Sequence, residues 1–164
     1  MRKRASSKGF SLVELVIVVV IIGVIAAIAV PRISRGAKGA GEAALRGSLA
    51  ALRNAIDMYA AEHGGAWPGA TDQLDTTLIR HLTEKTDVNG DPGGDFGPYL
   101  RRGFPPAPVG PNMGKAKGVI MTNVTPMLVD ESDDTKGWVY NYATGEIMVN
   151  TNDPDDNNEA YNTY

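Results

Sequence analysis

The sequence predicts an α+β fold in which one long N-terminal helix, apolar in its first half and amphipathic in its second, carries a small head of strands, a short helix and long loops. Three observations predict it. No polar side chain occurs from Leu15 to Val30. Leu45, Leu49, Leu52, Ile56 and Tyr59 then follow at steps of four and three, the spacing that lines one face of a helix. Nearer the C-terminus, GWVYNYATGEIMVN alternates Trp138, Tyr140 and Tyr142 before a Thr144-Gly145 turn, with Ile147 and Val149 beyond it, which reads as a β-hairpin.

A chain of 164 residues has room for one domain and one core. The absence of cysteine excludes a disulfide framework, a thiol nucleophile and a Cys-ligated metal. The net charge of −3 hides an asymmetry, because Met1 to Lys8 carries Arg2, Lys3, Arg4 and Lys8 with no acid, whereas Asp130 to Tyr164 holds nine carboxylates against Lys136 alone. The cations of the body are scattered and do not interleave with aromatics, so nucleic acid is set aside as a partner.

The first element is the apolar helix. From Phe10 to Val30 it counts 21 residues, roughly 31 Å at about 1.5 Å per residue, enough to cross a bilayer core. Glu14 interrupts the run. An acid at mid-membrane costs about 2.5–3.5 kcal/mol, while each Phe, Leu, Ile or Val contributes about 0.3–0.6 kcal/mol in favour of insertion. With fifteen such residues between Phe10 and Val30, insertion wins. The positive-inside rule keeps the basic N-terminus in the cytoplasm. A cleaved signal peptide, with Ala27 to Ala29 as the small-residue site, and a plain anchor with Glu14 idle at the interface are the two simpler readings.

The order KGFSLVEL combines a basic leader ending in Gly9, an aromatic Phe10, Glu14 four residues later, a long apolar helix and Pro31. It closely resembles the class III signal of type IV pilins and type II secretion pseudopilins. The resemblance implies that a prepilin peptidase cuts between Gly9 and Phe10 and methylates the new amine of Phe10. It also implies that Glu14 neutralises the terminal amine of a neighbouring subunit during polymerisation. An unpaired charge among packed apolar helices costs several kcal/mol, so Glu14 sets axial register.

Pro31 removes a backbone hydrogen bond and predicts a kink, and Gly36, Gly39 and Gly41 weaken the helix further. The stripe from Leu45 to Tyr59 must pack on a core, with Arg46, Arg53, Asp57 and Glu62 off it, until HGG closes the helix. A short helix over Asp72–Thr83 follows, with Thr71 or Asp72 as cap. The stretch from Thr86 to Gly114, dense in Gly, Pro and Asp, reads as loop, anchored by Phe96, Tyr99, Leu100 and Phe104. KGVIMTNV is a further strand. The expected organisation is a leader at 1–9, a transmembrane and filament-core helix at 10–31, its amphipathic half at 32–63, a globular head at 64–149 and an acidic, mobile tail at 150–164.

A second resemblance lies in LAALRNAIDMYAAEHGGAWPGATDQL, where Asp57, Met58, Tyr59, Trp67, Pro68 and Leu74 match the major pseudopilin of type II secretion. Together the resemblances cover the first half of the chain and imply the pilin fold, with the helix packed on a small antiparallel sheet. They imply a homopolymer growing from the bacterial inner membrane into the periplasm, assembled by an inner-membrane platform and ATPase with minor pseudopilins, to export folded proteins. Surface type IV pilins and a non-polymerising anchored binding module are the alternatives. The typical DPWGNPY segment of major pseudopilins is missing, so their calcium loop has no counterpart to align.

Calcium is therefore sought elsewhere. Asp87, Asn89 and Asp91 alternate like the opening of an EF-hand loop, but Pro92 stands at the sixth position and Pro98 at the twelfth. Asp153, Asp155 and Asp156 in the tail are the other candidates, and solvated turns are the simpler reading of both. No G-x-S-x-G, P-loop or H-E-x-x-H occurs, and no catalytic residue is assigned. His63 and His81 lack a spacing partner and read as surface or partly packed residues, and Asn123 heads a weak sequon.

Overall fold

Helix α1 spans Leu12–Glu62. The structure, a computed structural model, describes residues 10–164, with the side chains of residues 30–35 not included. The leader with Gly9, and the kink expected at Pro31, lie outside what is described. The chain divides into two units, Met1–Gly39 and Ala40–Tyr164, and α1 contributes to both.

In the first unit, Leu12–Ala29 is an 18-residue window long and apolar enough to cross a membrane, with 0% of it buried. Its Val and Ile side chains have weak helix propensity in water. In a hydrocarbon solvent the order of preference changes, because only a helix satisfies every backbone N–H and C=O within one segment.

The second unit holds the core. Leu45, Leu49, Leu52, Ile56 and Tyr59 are all buried, as their spacing predicts. They meet Leu78 and Leu82 of α2 (Asp75–Thr83), Val119 of β1 (Gly118–Thr122), Trp138 and Tyr140 of β2 (Lys136–Asn141), and Ile147 and Val149 of β3 (Ile147–Val149). Phe104, Ala107 and Val109 of the Gly/Pro-rich loop complete this cluster, so the loop is a working part of the core. Gly41 explains how the loop reaches α1: a Cβ there would stand 3.4 Å from Pro108 O and from Val109 Cγ1.

The architecture is α+β and pilin-like, but the sheet is mixed and not antiparallel. Strand order is β1-β2-β3, with β1 parallel to β2 and β2 antiparallel to β3. The reason lies in the link from Asn123 to Thr135, which is too long for a hairpin and returns the chain to the end of the sheet where β1 began. Asn150 fastens this link: its Oδ1 accepts the Asp130 N–H at 2.8 Å and its Nδ2 donates to Lys136 O at 3.0 Å. The expected hairpin is present, although β2 ends at Asn141, one residue before Tyr142. Its turn requires Gly145, at φ 78°, because a Cβ there would lie 2.6 Å from the Trp67 ring.

The region 150–164 is a second correction. A mobile tail was expected from its polarity, yet Thr151, Asp155 and Tyr161 are buried and Tyr161 belongs to the core. Tyr161–Thr163 forms a 3-10 turn packed on β3. Tyr164 lies under the Arg46 guanidinium, 4.6 Å from ring centroid to Cζ, and its carbonyl accepts from Arg53 at 2.8 Å. Two aromatic anchors outweigh the polar composition around them.

Candidate functional site

The residues expected to be processed and to act in assembly, Phe10 and Glu14, sit at the start of α1. Phe10 and Ser11 precede the helix, and Phe10 is 78% exposed. Ser11 Oγ accepts the Val13 N–H at 3.3 Å, while Glu14 Oε2 accepts the Ser11 N–H at 2.8 Å. This is a reciprocal cap, Ser11 at the N-cap and Glu14 at the third helical position, and it satisfies two of the amides that every helix start leaves without an internal partner. The carboxylate also lies at the positive end of the helix dipole. Glu14 thus stands one residue away from the Phe10 nitrogen, the atom that cleavage after Gly9 would turn into a terminal amine.

Phe10 and Glu14 are therefore brought to the same helix end. Ser11 was not singled out in the sequence, although S-x-x-E just before an apolar run is the signature of such a cap, present as Ser11 to Glu14.

The calcium candidates stand differently. Asp87 Oδ1 accepts the N–H groups of Asn89 at 2.8 Å and Asp91 at 2.9 Å, and these bonds hold its carboxyl below the usual carboxylate range. Asp155 accepts the N–H groups of Asn157 and Glu159 and the Tyr164 hydroxyl at 2.7–2.8 Å, and the Glu159 amide first, then Tyr164, bring its pKa down to about 2. Both carboxylates are turned inward onto their own loops. Among the described residues no three His, Cys, Asp or Glu side chains gather as a group that could hold a metal.

His63 and His81 are buried at 5% exposure, not at the surface. The Tyr59 ring lies between them, 3.8 Å from His63 and 4.9 Å from His81, in near-parallel stacks. His63 bridges Tyr59 O at 2.8 Å and the buried Thr86 hydroxyl at 3.0 Å, which ties the end of α1 to the loop after α2. His81 Nδ1 accepts the Gly69 N–H at 3.2 Å, and the Arg80 guanidinium lies 3.3 Å from its Nε2. Burial, then Arg80 and His63, push the His81 pKa down to about 4, and burial pushes the Tyr59 hydroxyl up to about 12. Tyr99 completes the cluster edge-on to Tyr59, donating to Glu62 at 2.5 Å. Tyr59 and His63 meet by their i,i+4 spacing at the end of α1, and only the fold brings His81 and Tyr99 to them.

Residues 4–30 match the family description of the prokaryotic N-terminal methylation motif. That motif indicates a type IV pilin-like protein, pilin or pseudopilin, and implies processing by a prepilin peptidase and assembly into a pilin-type polymer. Comparison with curated proteins and with solved structures returns no match.

Proposed function

We propose that this chain is a structural filament subunit and not an enzyme: a pseudopilin of a type II secretion pseudopilus, of the major type. Prepilin peptidase cuts it between Gly9 and Phe10 and methylates the Phe10 amine. The helix over 10–31 holds it in the inner membrane with the basic leader cytoplasmic and the head periplasmic. An assembly ATPase and platform then draw subunits, with minor pseudopilins, into a polymer that moves folded proteins outward.

One observation carries the reading. The methylation motif at 4–30 covers the start of a helix whose apolar half is 0% buried and whose lone acid, Glu14, sits at the terminus that cleavage would create. A wholly exposed apolar helix needs a hydrocarbon solvent or a sheath of like helices, and a filament subunit uses first one and then the other. The absence of cysteine favours a pseudopilin over the many surface pilins that close a C-terminal loop by a disulfide, and the match at Asp57, Met58, Tyr59, Trp67, Pro68 and Leu74 points the same way.

The deciding experiment is the mature N-terminus, read by intact mass and terminal-peptide mass spectrometry on protein from its host membranes. A start at Phe10 with one added methyl group is expected. A start at Val30 would mean ordinary signal-peptide cleavage and would overturn the filament reading. Deleting the gene separates the two filament types: lost secretion marks the pseudopilin, and lost surface fibres with secretion intact mark a type IV pilin.

A further inference from the structure

A groove of about 740 Å³ lies between the C-terminal half of α1, the hairpin turn and the C-terminal segment. Sites for small molecules span about 300–1,000 Å³. Every residue that lines the groove belongs to the unit Ala40–Tyr164, so it is complete within one head.

Three of its residues carry polar groups that the fold leaves unused. Trp138 is fully buried and donates its Nε1–H to Pro105 O at 2.9 Å, whereas Trp67 is half-buried at the groove wall and its Nε1–H meets no acceptor among the described residues. The hairpin turn braces the Trp67 ring, since Gly145 lies directly against it. Asp57, exposed on α1, accepts no hydrogen bond and enters no ion pair among the described residues, because Arg53 one turn earlier is directed to Ile147 O and Tyr164 O. Asn162 has a buried Oδ1 without a partner, a state that carries a desolvation cost.

These groups decide what the groove can hold. An apolar ligand would cover Asp57 and Asn162 and leave them without partners. An anion would face Asp57 and Glu146, and a metal ion or amine would face Arg53, so the lining selects neither sign of charge. An added peptide strand needs an open sheet edge, but Ile147, Met148 and Val149 are all buried. A sugar meets each demand. Its hydroxyls both donate and accept, and the C–H face of a pyranose ring lies flat on the electron-rich face of an indole.

We propose that this groove is a binding site for a neutral oligosaccharide, with one sugar ring stacked on Trp67 and its hydroxyls bonded to Asp57 and Asn162. The site does not depend on the filament reading.

The test uses the full chain, processed in its host membranes and extracted in a detergent without a sugar headgroup, which would compete. Chitotetraose, cellotetraose and maltotetraose are the probes. At least one is expected to change indole fluorescence saturably and to receive saturation transfer at its C–H protons by NMR, with a Kd on the order of 1 mM. Binding of chitotetraose alone marks an N-acetylated glycan, such as that of a cell wall, as the source; binding of either glucan marks a plain hexose polymer; each supports the site. Asp57→Ala and Asn162→Ala are each expected to weaken binding about tenfold, and Trp67→Ala to abolish the NMR signal. Melting temperatures within a few degrees of the parent establish that a variant folds, and the two single polar variants carry the test should Trp67→Ala unfold the head. No saturable signal from any of the three sugars at tens of millimolar, or unchanged affinity in either folded polar variant, overturns the proposal.

Discussion

Tyr59 is held between the His63 and His81 rings, and the burial of His81 makes the head acid-sensitive. The His81 pKa falls from 6.5 to about 4 on folding. A base with a depressed folded pKa contributes stability that is fully present above its unfolded value and is lost as pH falls toward the folded one. Unfolding free energy, followed by denaturant titration, should therefore hold above pH 6.5 and drop between 6.5 and 4 by about 2–3 kcal/mol for a shift of this size. His81→Asn, which keeps an acceptor for the Gly69 N–H, should remove most of that slope; a variant with the same slope would place the acid sensitivity elsewhere. Glu14 offers a second contrast at this scale. Glu14→Gln preserves the side-chain acceptor of the cap with Ser11 but removes the charge, whereas Glu14→Ala removes both. If charge pairing sets register, both variants are cleaved yet fail to polymerise, and normal filaments from Glu14→Gln would rule out register selection by charge. Calcium at Asp87 or Asp155 would have to displace amides already bonded there, so millimolar calcium should release no heat on titration and leave the melting temperature unmoved.

Among elements, α1 changes its task along its length. The window Leu12–Ala29 is 0% buried among the described residues, so substitutions there should act on membrane insertion and on the proposed polymer, while the second half of α1 is the centre of the head core. Leu52→Ala, at a fully buried position, should cost about 2–5 kcal/mol of head stability. Arg53→Ala one residue on removes an exposed bond to Tyr164 O and a long, part-buried one to Ile147 O, and should cost less. The C-terminal region is tested in the same way. Tyr161→Ala should destabilise the head by about 3 kcal/mol and expose residues 150–164 to protease, because that ring ties the segment to the core. A mobile tail would show neither effect.

At the scale of the whole molecule, the legible and illegible parts divide by the range of the contacts involved. The apolar run, the stripe from Leu45 to Tyr59, the helix ending at HGG and the hairpin around Thr144-Gly145 are all written in neighbours a few positions apart, and each stands where the sequence predicts it. The cap between Ser11 and Glu14 is equally local. The methylation motif over residues 4–30 was legible for the same reason, since it is carried by the spacing of neighbouring residues.

The sequence by itself determined that this protein has an N-terminal segment built for hydrocarbon, a prepilin-type processing signal, and an amphipathic helix that must bury one stripe, because period and polarity are properties of short windows. Only the tertiary structure decided that β1 runs parallel to β2, that residues 150–164 pack through Tyr161 and Tyr164, and that His81 stacks on Tyr59. These depend on which distant segments share the space over one core. Arg53 and Tyr164 lie 111 positions apart in the chain and 2.8 Å apart in the fold, and no local pattern encodes that meeting.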